Sequence, residues 1–203
     1  MKKLRFWVVA IIVMVVVYEV YIACAFALPR IAAHTEAAIY TVRLLYNDLG
    51  LLLYAVLATA FLMAGGLVYR ADRSNRLAMI GGELLAICGI WKLLWQLLYL
   101  IANHTAMTIS LPLSLAEDGL GSLLFCASLV VLAWYYKHPA LRGLSIAYVV
   151  TDLIFMTHHT LSLFVPSVAH SRGAAYFGLF AAATIILELI YLVKWARIKD
   201  LRP

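Results

Sequence analysis

The stretch FWVVAIIVMVVVYEVYIACAFAL, residues 6–28, decides the fold class of this chain. Its 23 residues follow a basic start and precede Pro29, and Glu19 is their only charged side chain. A helix needs about 20 apolar residues to cross a hydrocarbon core about 30 Å thick. The apolar core of a cleaved signal peptide is shorter, about 7–15 residues. The stretch therefore predicts a transmembrane helix that is retained in the protein.

Five further stretches of the same kind follow along the chain. They cover residues 49–69, 77–102, 115–136, 140–165 and 173–195. The sequence thus predicts an all-α integral membrane protein whose single domain, residues 1–203, is a bundle of six transmembrane helices. We expect Pro29 and Pro166 to end the first and fifth helices. Ser114 with Glu117 predicts a capping box at the fourth helix, Pro139 a first-turn proline at the fifth, and Ser171 a cap at the sixth.

The composition excludes most classes of soluble protein. Of 203 residues, 66% are hydrophobic and 13% are charged, and the mean hydropathy is +0.96. Soluble domains are about 25% charged, and a small globule cannot bury this much apolar surface. A soluble enzyme, a disordered tail and a nucleic-acid-binding module are excluded, so the net charge of +6 reflects a membrane and not a nucleic acid.

The lysines and arginines predict the orientation. Twelve of the 16 fall on one side of the six predicted spans and three on the other, and Lys92 lies inside a span. Because cytoplasmic loops are enriched in Lys and Arg, both termini are expected in the cytoplasm. The bilayer is the first expected partner, and the membrane is expected to be a plasma (inner) membrane.

Seven ionisable residues lie well inside the predicted spans, away from their ends. They are Glu19, Glu83, Lys92, Asp152, His158, His159 and Glu188. A charged side chain at the middle of a bilayer costs about 2.5–3.5 kcal/mol on insertion scales. These groups are therefore expected to face one another or a wet cavity.

Depth and helical phase group several of these residues. At a rise of 1.5 Å per residue, Glu19, Lys92 and Asp152 lie at a common level, about 18–22 Å from the inner end. Glu188 lies closer to the inner end, about 8 Å from it. His159 follows Asp152 by seven residues and shares its helical face.

Polar and aromatic residues lie near these charged groups on the third and fifth predicted helices. Tyr148 shares the face of Asp152, and Gln96 lies one turn from Lys92. Trp91 and Trp95 lie deep in the third span, where a ligand cavity is one interpretation and helix packing the other. Glu83 lies on the opposite face of that helix from Lys92.

The leading hypothesis is a small proton- or ion-coupled transporter. Lys92, Asp152 and His159 form its central site, Glu19 is an alternative carboxylate partner for Lys92, and Glu188 is an inner relay. The expected contacts with an apolar or ionic small-molecule substrate come from Lys92, Gln96, Trp91, Trp95 and Tyr148.

Two other classes remain open. In an intramembrane acid–base enzyme, such as an isomerase, cyclase or hydrolase, Asp152, His159, Glu19 and Glu188 would act on a lipid or isoprenoid. In a membrane subunit of a larger complex, His158, His159 and Asp152 are candidate metal ligands. No cofactor is assigned. Small-residue faces on the helices favour a homo-oligomer or a membrane complex.

Overall fold

The architecture is described by a computed structural model. It describes the backbone of residues 2–31, 36–105, 107–165 and 173–198, and the side chains of residues 2–24, 47–105, 107–165 and 179–198. This part of the chain forms helices and short connections, with no strand. The helices are α1 Lys2–Ile31, α2 Glu36–Ala71, α3 Arg76–His104, α4 Leu111–Tyr135, α5 Pro139–Phe164 and α6 Gly173–Arg197.

Each of the six helices contains a segment long and apolar enough to cross a membrane. The all-helical class and the number of membrane-length helices predicted from the sequence are confirmed. Six helices of this length and hydropathy indicate a multi-pass integral membrane protein.

Some helix boundaries differ from the sequence expectation. α1 continues past Pro29 to Ile31, and α2 begins at Glu36, so the residues before the second span extend it outward. α4 begins at Leu111, with Ser110 as its N-cap residue and a proline in its first turn.

The capping box predicted at Ser114 is therefore wrong. A proline fits best in the first turn of a helix, and Pro112 sets the start of α4 upstream of Ser114. The Ser114 hydroxyl lies 3.1 Å from the Tyr99 hydroxyl of α3 instead. Pro139 occupies the first turn of α5, as predicted. Ser171 and Pro166 lie outside the described residues.

The helices form a closed ring in chain order. Each one packs against its neighbours in sequence, and α6 closes the ring by packing against α1. The guanidinium of Arg5 donates a hydrogen bond of 3.3 Å to the Ile198 carbonyl, which joins the start of α1 to the end of α6. At the opposite end of the bundle, His104 of α3 lies 3.0 Å from the Asp48 carboxylate of α2.

One end of the ring carries the basic residues, and we call it the basic end. It is defined by Lys2, Lys3, Arg5, Arg70, Arg73, Arg76, Lys137, Arg142, Lys194 and Arg197. Just inside it, large side chains fill the middle of the ring. Leu129, Leu132, Leu141, Tyr191 and Trp195 are almost completely buried there. The Tyr191 hydroxyl donates a hydrogen bond of 2.8 Å across the ring to the Leu129 carbonyl.

The contact between α2 and α3 is made by backbone. A Cβ atom added at Gly65 would lie 2.5 Å from the Gly82 carbonyl oxygen, and one at Gly89 would lie 2.6 Å from the Ala58 carbonyl oxygen. Both distances are far below van der Waals contact. Glycine is required at these positions because any side chain would push the two helices apart.

Gly65 and its neighbour Gly66 provide a matched test of this contact. Gly65→Ala is expected to destabilise the protein by about 1–3 kcal/mol, because overpacking must separate α2 from α3. Gly66→Ala has open space around its new methyl group and should leave stability unchanged or slightly higher. Thermal unfolding in mild detergent measures both, and equal melting temperatures for the two variants would refute the backbone contact.

Candidate functional site

A central cavity of about 280 Å³ lies within the ring of helices. All six helices contribute to its wall. Its lining consists of Val15, Tyr18, Glu19, Tyr54, Leu57, Phe61, Lys92, Asp118, Gly121, Ser122, Phe125, Tyr148, Asp152, Phe155, Met156 and Glu188. The wall therefore combines ionisable groups with aromatic rings.

Five charged residues from five different helices face this cavity. They are Glu19 of α1, Lys92 of α3, Asp118 of α4, Asp152 of α5 and Glu188 of α6. Four of the sequence-predicted site residues, Glu19, Lys92, Asp152 and Glu188, are thus brought together, and Tyr148 lines the same space. The carboxyls outnumber the ammonium group by four to one.

Lys92 is held by a tyrosine and not by a carboxylate. Its ammonium group donates a short hydrogen bond to the Tyr54 hydroxyl of α2 and lies 4.8 Å from the centre of the Tyr54 ring. Among the described side chains, no carboxylate oxygen lies within salt-bridge distance of Lys92. The ion pair expected with Asp152 or Glu19 is therefore not formed. The depth and the helical face of a residue can be derived from the sequence, and they place Lys92 near Asp152 and Glu19. They do not show that the Tyr54 hydroxyl of another helix lies closer to the Lys92 ammonium group than either carboxylate does.

Asp152 is satisfied by neutral donors from α4. The Ser122 hydroxyl donates a short hydrogen bond to its Oδ2 atom, and the Cys126 thiol approaches the same oxygen at 3.5 Å. Asp152 is only 7% exposed. Its carboxyl group is consequently fixed against one wall of the cavity.

Three cavity carboxyls have no protein donor among the described residues. Glu19, Asp118 and Glu188 make neither a hydrogen bond nor an ion pair with any of them. Glu188 is nevertheless close enough to Lys92, Glu19 and Asp152 to interact electrostatically with all three. These carboxyls are available to a proton, to water or to a ligand.

Three aromatic rings pack together in the cavity wall. The rings of Phe61 and Phe125 lie 5.0 Å apart, and those of Phe125 and Tyr148 lie 5.7 Å apart. All three side chains are buried. This group, which we call the aromatic floor, links α2, α4 and α5, and Tyr148 lies one helical turn nearer the basic end than Asp152.

The predicted aromatic and amide contacts of α3 lie outside the cavity lining. The Trp91 indole donates a hydrogen bond of 3.2 Å to the Glu117 carbonyl, and Trp91, Trp95 and Tyr99 form a row of rings with centres 5.9 Å apart. Trp95 and Gln96 are buried. Trp91 thus joins α3 to α4, and none of Trp91, Trp95 and Gln96 lines the cavity, so their predicted contact with substrate has no counterpart in the cavity wall.

The two histidines of α5 are also outside the lining. The His159 ring stacks on Phe155 at 6.2 Å and is close enough to Asp118 to interact with it electrostatically. His158 lines a separate apolar pocket with Leu153, Thr157 and Leu161. In the part of the chain that the structure describes, no three His, Cys, Asp or Glu side chains gather as metal ligands. His158, His159 and Asp152 are therefore not assembled into a metal site.

Sequence reasoning missed the residues that α2 and α4 supply. Asp118 had a sufficient local explanation as an acidic residue at a helix start. Yet Asp118, Ser122 and Phe125 recur at helical spacing, which is the signal that one face of α4 is distinct. For Tyr54, an unremarkable tyrosine in an apolar run, the sequence holds no comparable signal.

The ring and its charged cavity are thus the basis for assigning a function. Comparisons of the chain with protein-family models, with curated proteins and with solved structures found no match.

The bond between Lys92 and Tyr54 can be tested by a double-mutant cycle. Tyr54→Phe is expected to cost about 1–3 kcal/mol, because it leaves a charged donor without its acceptor. In the Lys92→Met background the same change should cost much less, which gives a coupling of about 0.5–3 kcal/mol. Unfolding in mild detergent supplies the four stabilities.

Tyr69→Phe is the matched control, since Tyr69 faces Arg73 near the basic end and not the cavity. A coupling of zero between positions 54 and 92 would show that the bond does not contribute to the stability of the ring.

Proposed function

We propose that this protein is a membrane transporter that moves a small solute through the central cavity in a cycle coupled to protons. The observation that carries the proposal is the convergence of Glu19, Asp118, Asp152 and Glu188 with Lys92 on one cavity inside a ring of membrane-length helices. Ionisable residues in membrane segments commonly mark ion pathways and proton relays.

The coupling follows from charge balance. Four ionised carboxylates and one ammonium leave an excess of three negative charges in a small cavity. Such a charge is expensive in a region of low dielectric, so protons or a bound solute must balance it. A solute that supplies this balance displaces protons, and protons displace the solute. Binding of one therefore weakens binding of the other, which is a reciprocal coupling.

The positions of the residues support separate roles. Asp152, held by Ser122, and Lys92, held by Tyr54, form fixed walls of the solute site. Glu19, Asp118 and Glu188 are the exchangeable carboxyls. His159 lies beside Asp118 and serves as its outer proton relay, which replaces the central position expected from the sequence.

The aromatic floor supports a one-sided access path. Phe61, Phe125 and Tyr148 pack against one another in the cavity wall, and in the proposed cycle they close the way to the basic end in this conformation. Transport then requires a second conformation in which the floor opens. The distribution of Lys and Arg supports a cytoplasmic basic end in a plasma (inner) membrane. Assembly of the chain as a homo-oligomer or within a membrane complex stays a prediction, because the small residues Gly65 and Gly89 pack within the chain, between α2 and α3.

Purified protein in proteoliposomes with an internal pH dye tests this function. A panel of amines, carboxylates, amino acids and sugars is added outside, and solute-driven proton movement is recorded. Asp152→Asn and Glu188→Gln are each expected to reduce that movement about tenfold or more, because each removes an exchangeable or fixed charge from the cavity. Glu83→Gln should retain the wild-type rate, since Glu83 is exposed on the outer face of α3.

A wild-type protein that moves no proton with any solute would refute the proposal. So would full proton movement in both cavity variants.

One observation favours an enzyme as the second candidate. Lys92 with Tyr54, and Asp152 with Ser122, are hydrogen-bonded pairs that face a cavity lined partly by aromatic rings. Such pairs can act as general acid and base on an apolar substrate that enters between helices. This candidate predicts turnover of an isoprenoid or lipid extract without vectorial proton movement.

A further inference from the structure

We infer that the solute of the central cavity is a small organic cation that carries an ammonium group. The inference rests on the proposed transport function and adds the chemical class of the substrate. It starts from the three cavity carboxyls, Glu19, Asp118 and Glu188, that have no donor among the described side chains. They lie on α1, α4 and α6, so they surround the space from three sides.

The sign of the charge follows from these carboxyls. An anion would meet four carboxyl groups and a single ammonium group, one of whose three N–H donors is given to Tyr54. A cation meets carboxyl oxygens that have no other protein partner in the described part of the chain. The site therefore favours a positively charged solute over a negatively charged or neutral one.

The form of the cation follows from the spacing of the carboxyls. Among the described residues, no three potential metal ligands come close enough to coordinate one ion. The aromatic side chains of Tyr18, Phe61, Phe125 and Phe155 line the same cavity as the carboxyls. Aromatic faces attract ammonium groups and accept their apolar substituents, whereas they offer no ligands to a bare metal ion.

Lys92 shows that this wall binds an ammonium group. Its Nζ atom is held by the Tyr54 hydroxyl and lies 4.8 Å from the ring centre. The Tyr18 ring packs against Tyr54 with centres 5.0 Å apart and continues the same aromatic wall towards Glu19. A second ammonium group from solution would find a ring face and a carboxyl side by side there.

The size of the cavity limits the solute. Pockets for drug-sized ligands usually occupy about 300–1,000 Å³. A cavity of about 280 Å³ lies just below that range, so a compact amine or quaternary ammonium compound fits within it.

Calorimetric titration of the detergent-purified full chain tests the inference directly. The probes are choline, benzyltrimethylammonium, sodium ion, acetate and the uncharged alcohol in which carbon replaces the choline nitrogen. Saturable binding of an ammonium probe, with binding of the alcohol, sodium and acetate about tenfold or more weaker, is the expected result. Equal binding of choline and its uncharged isostere would overturn the inference, as would absence of binding by both ammonium probes.

Charge-neutralising variants locate the binding site. Glu188→Gln and Glu19→Gln are each expected to weaken ammonium binding about tenfold or more, because each removes a cavity carboxylate. Glu83→Gln is the matched control and should bind as the wild type does. Melting temperatures and size-exclusion profiles establish that each variant is folded. Folded Glu188 and Glu19 variants that both bind with wild-type affinity would overturn the assignment to this cavity.

The binding and transport experiments distinguish failure of the proposed substrate class from failure of the proposed transport function. Proton movement that depends on Asp152 but is driven by a solute other than an ammonium compound would overturn the substrate class and leave the transporter in place. Ammonium binding that depends on Glu188, with no proton movement in proteoliposomes, would leave the cation site and refute the transport cycle.

Discussion

The cost of placing charge in hydrocarbon is the constraint on which this structure depends. A chain with so many apolar residues can expose them to lipid freely, but each carboxyl or ammonium group inside a span needs a polar environment. A closed ring of six helices provides one. It turns a lining face of every helix towards a common interior, where Glu19, Lys92, Asp152 and Glu188 meet. Glu83 shows the alternative, since it lies close to the basic end and can extend towards the polar boundary.

Neutral partners, and not ion pairs, hold the fixed charges of the cavity. Tyr54 accepts from Lys92, and Ser122 with Cys126 donates to Asp152. If Lys92 had paired with a carboxylate, the two charges would have neutralised each other and the pair would have served only to hold two helices together. Because tyrosine and serine fill these roles, the remaining carboxyls keep their charge-binding capacity. The same arrangement places aromatic rings beside acidic groups, which is the combination that the proposed cation site requires.

Hydropathy was sufficient to predict the number and class of the helices, because the length of an apolar run is set by the bilayer and not by tertiary contacts. Depth along each helix also predicted that Glu19, Lys92 and Asp152 share a level. Phase was less informative, since it gives the direction of a side chain but not the helix that lies there. Trp91, Trp95 and Gln96 illustrate the limit: none of them lines the cavity, and Trp91 bonds to α4 instead. Tyr54 could not be predicted either, because its role is to accept a hydrogen bond from Lys92, and only the packing of α2 against α3 brings the two side chains together.

The contribution of all six helices to one cavity also has a consequence for biosynthesis. Helices enter the membrane in chain order, and α6 both supplies Glu188 and closes the ring against α1. Before that last insertion, Glu19 and Lys92 lack a complete enclosure and are exposed to lipid or to the insertion machinery. The ring is therefore complete only once α6 has joined it, and until then the charges of Glu19 and Lys92 are not fully enclosed by protein.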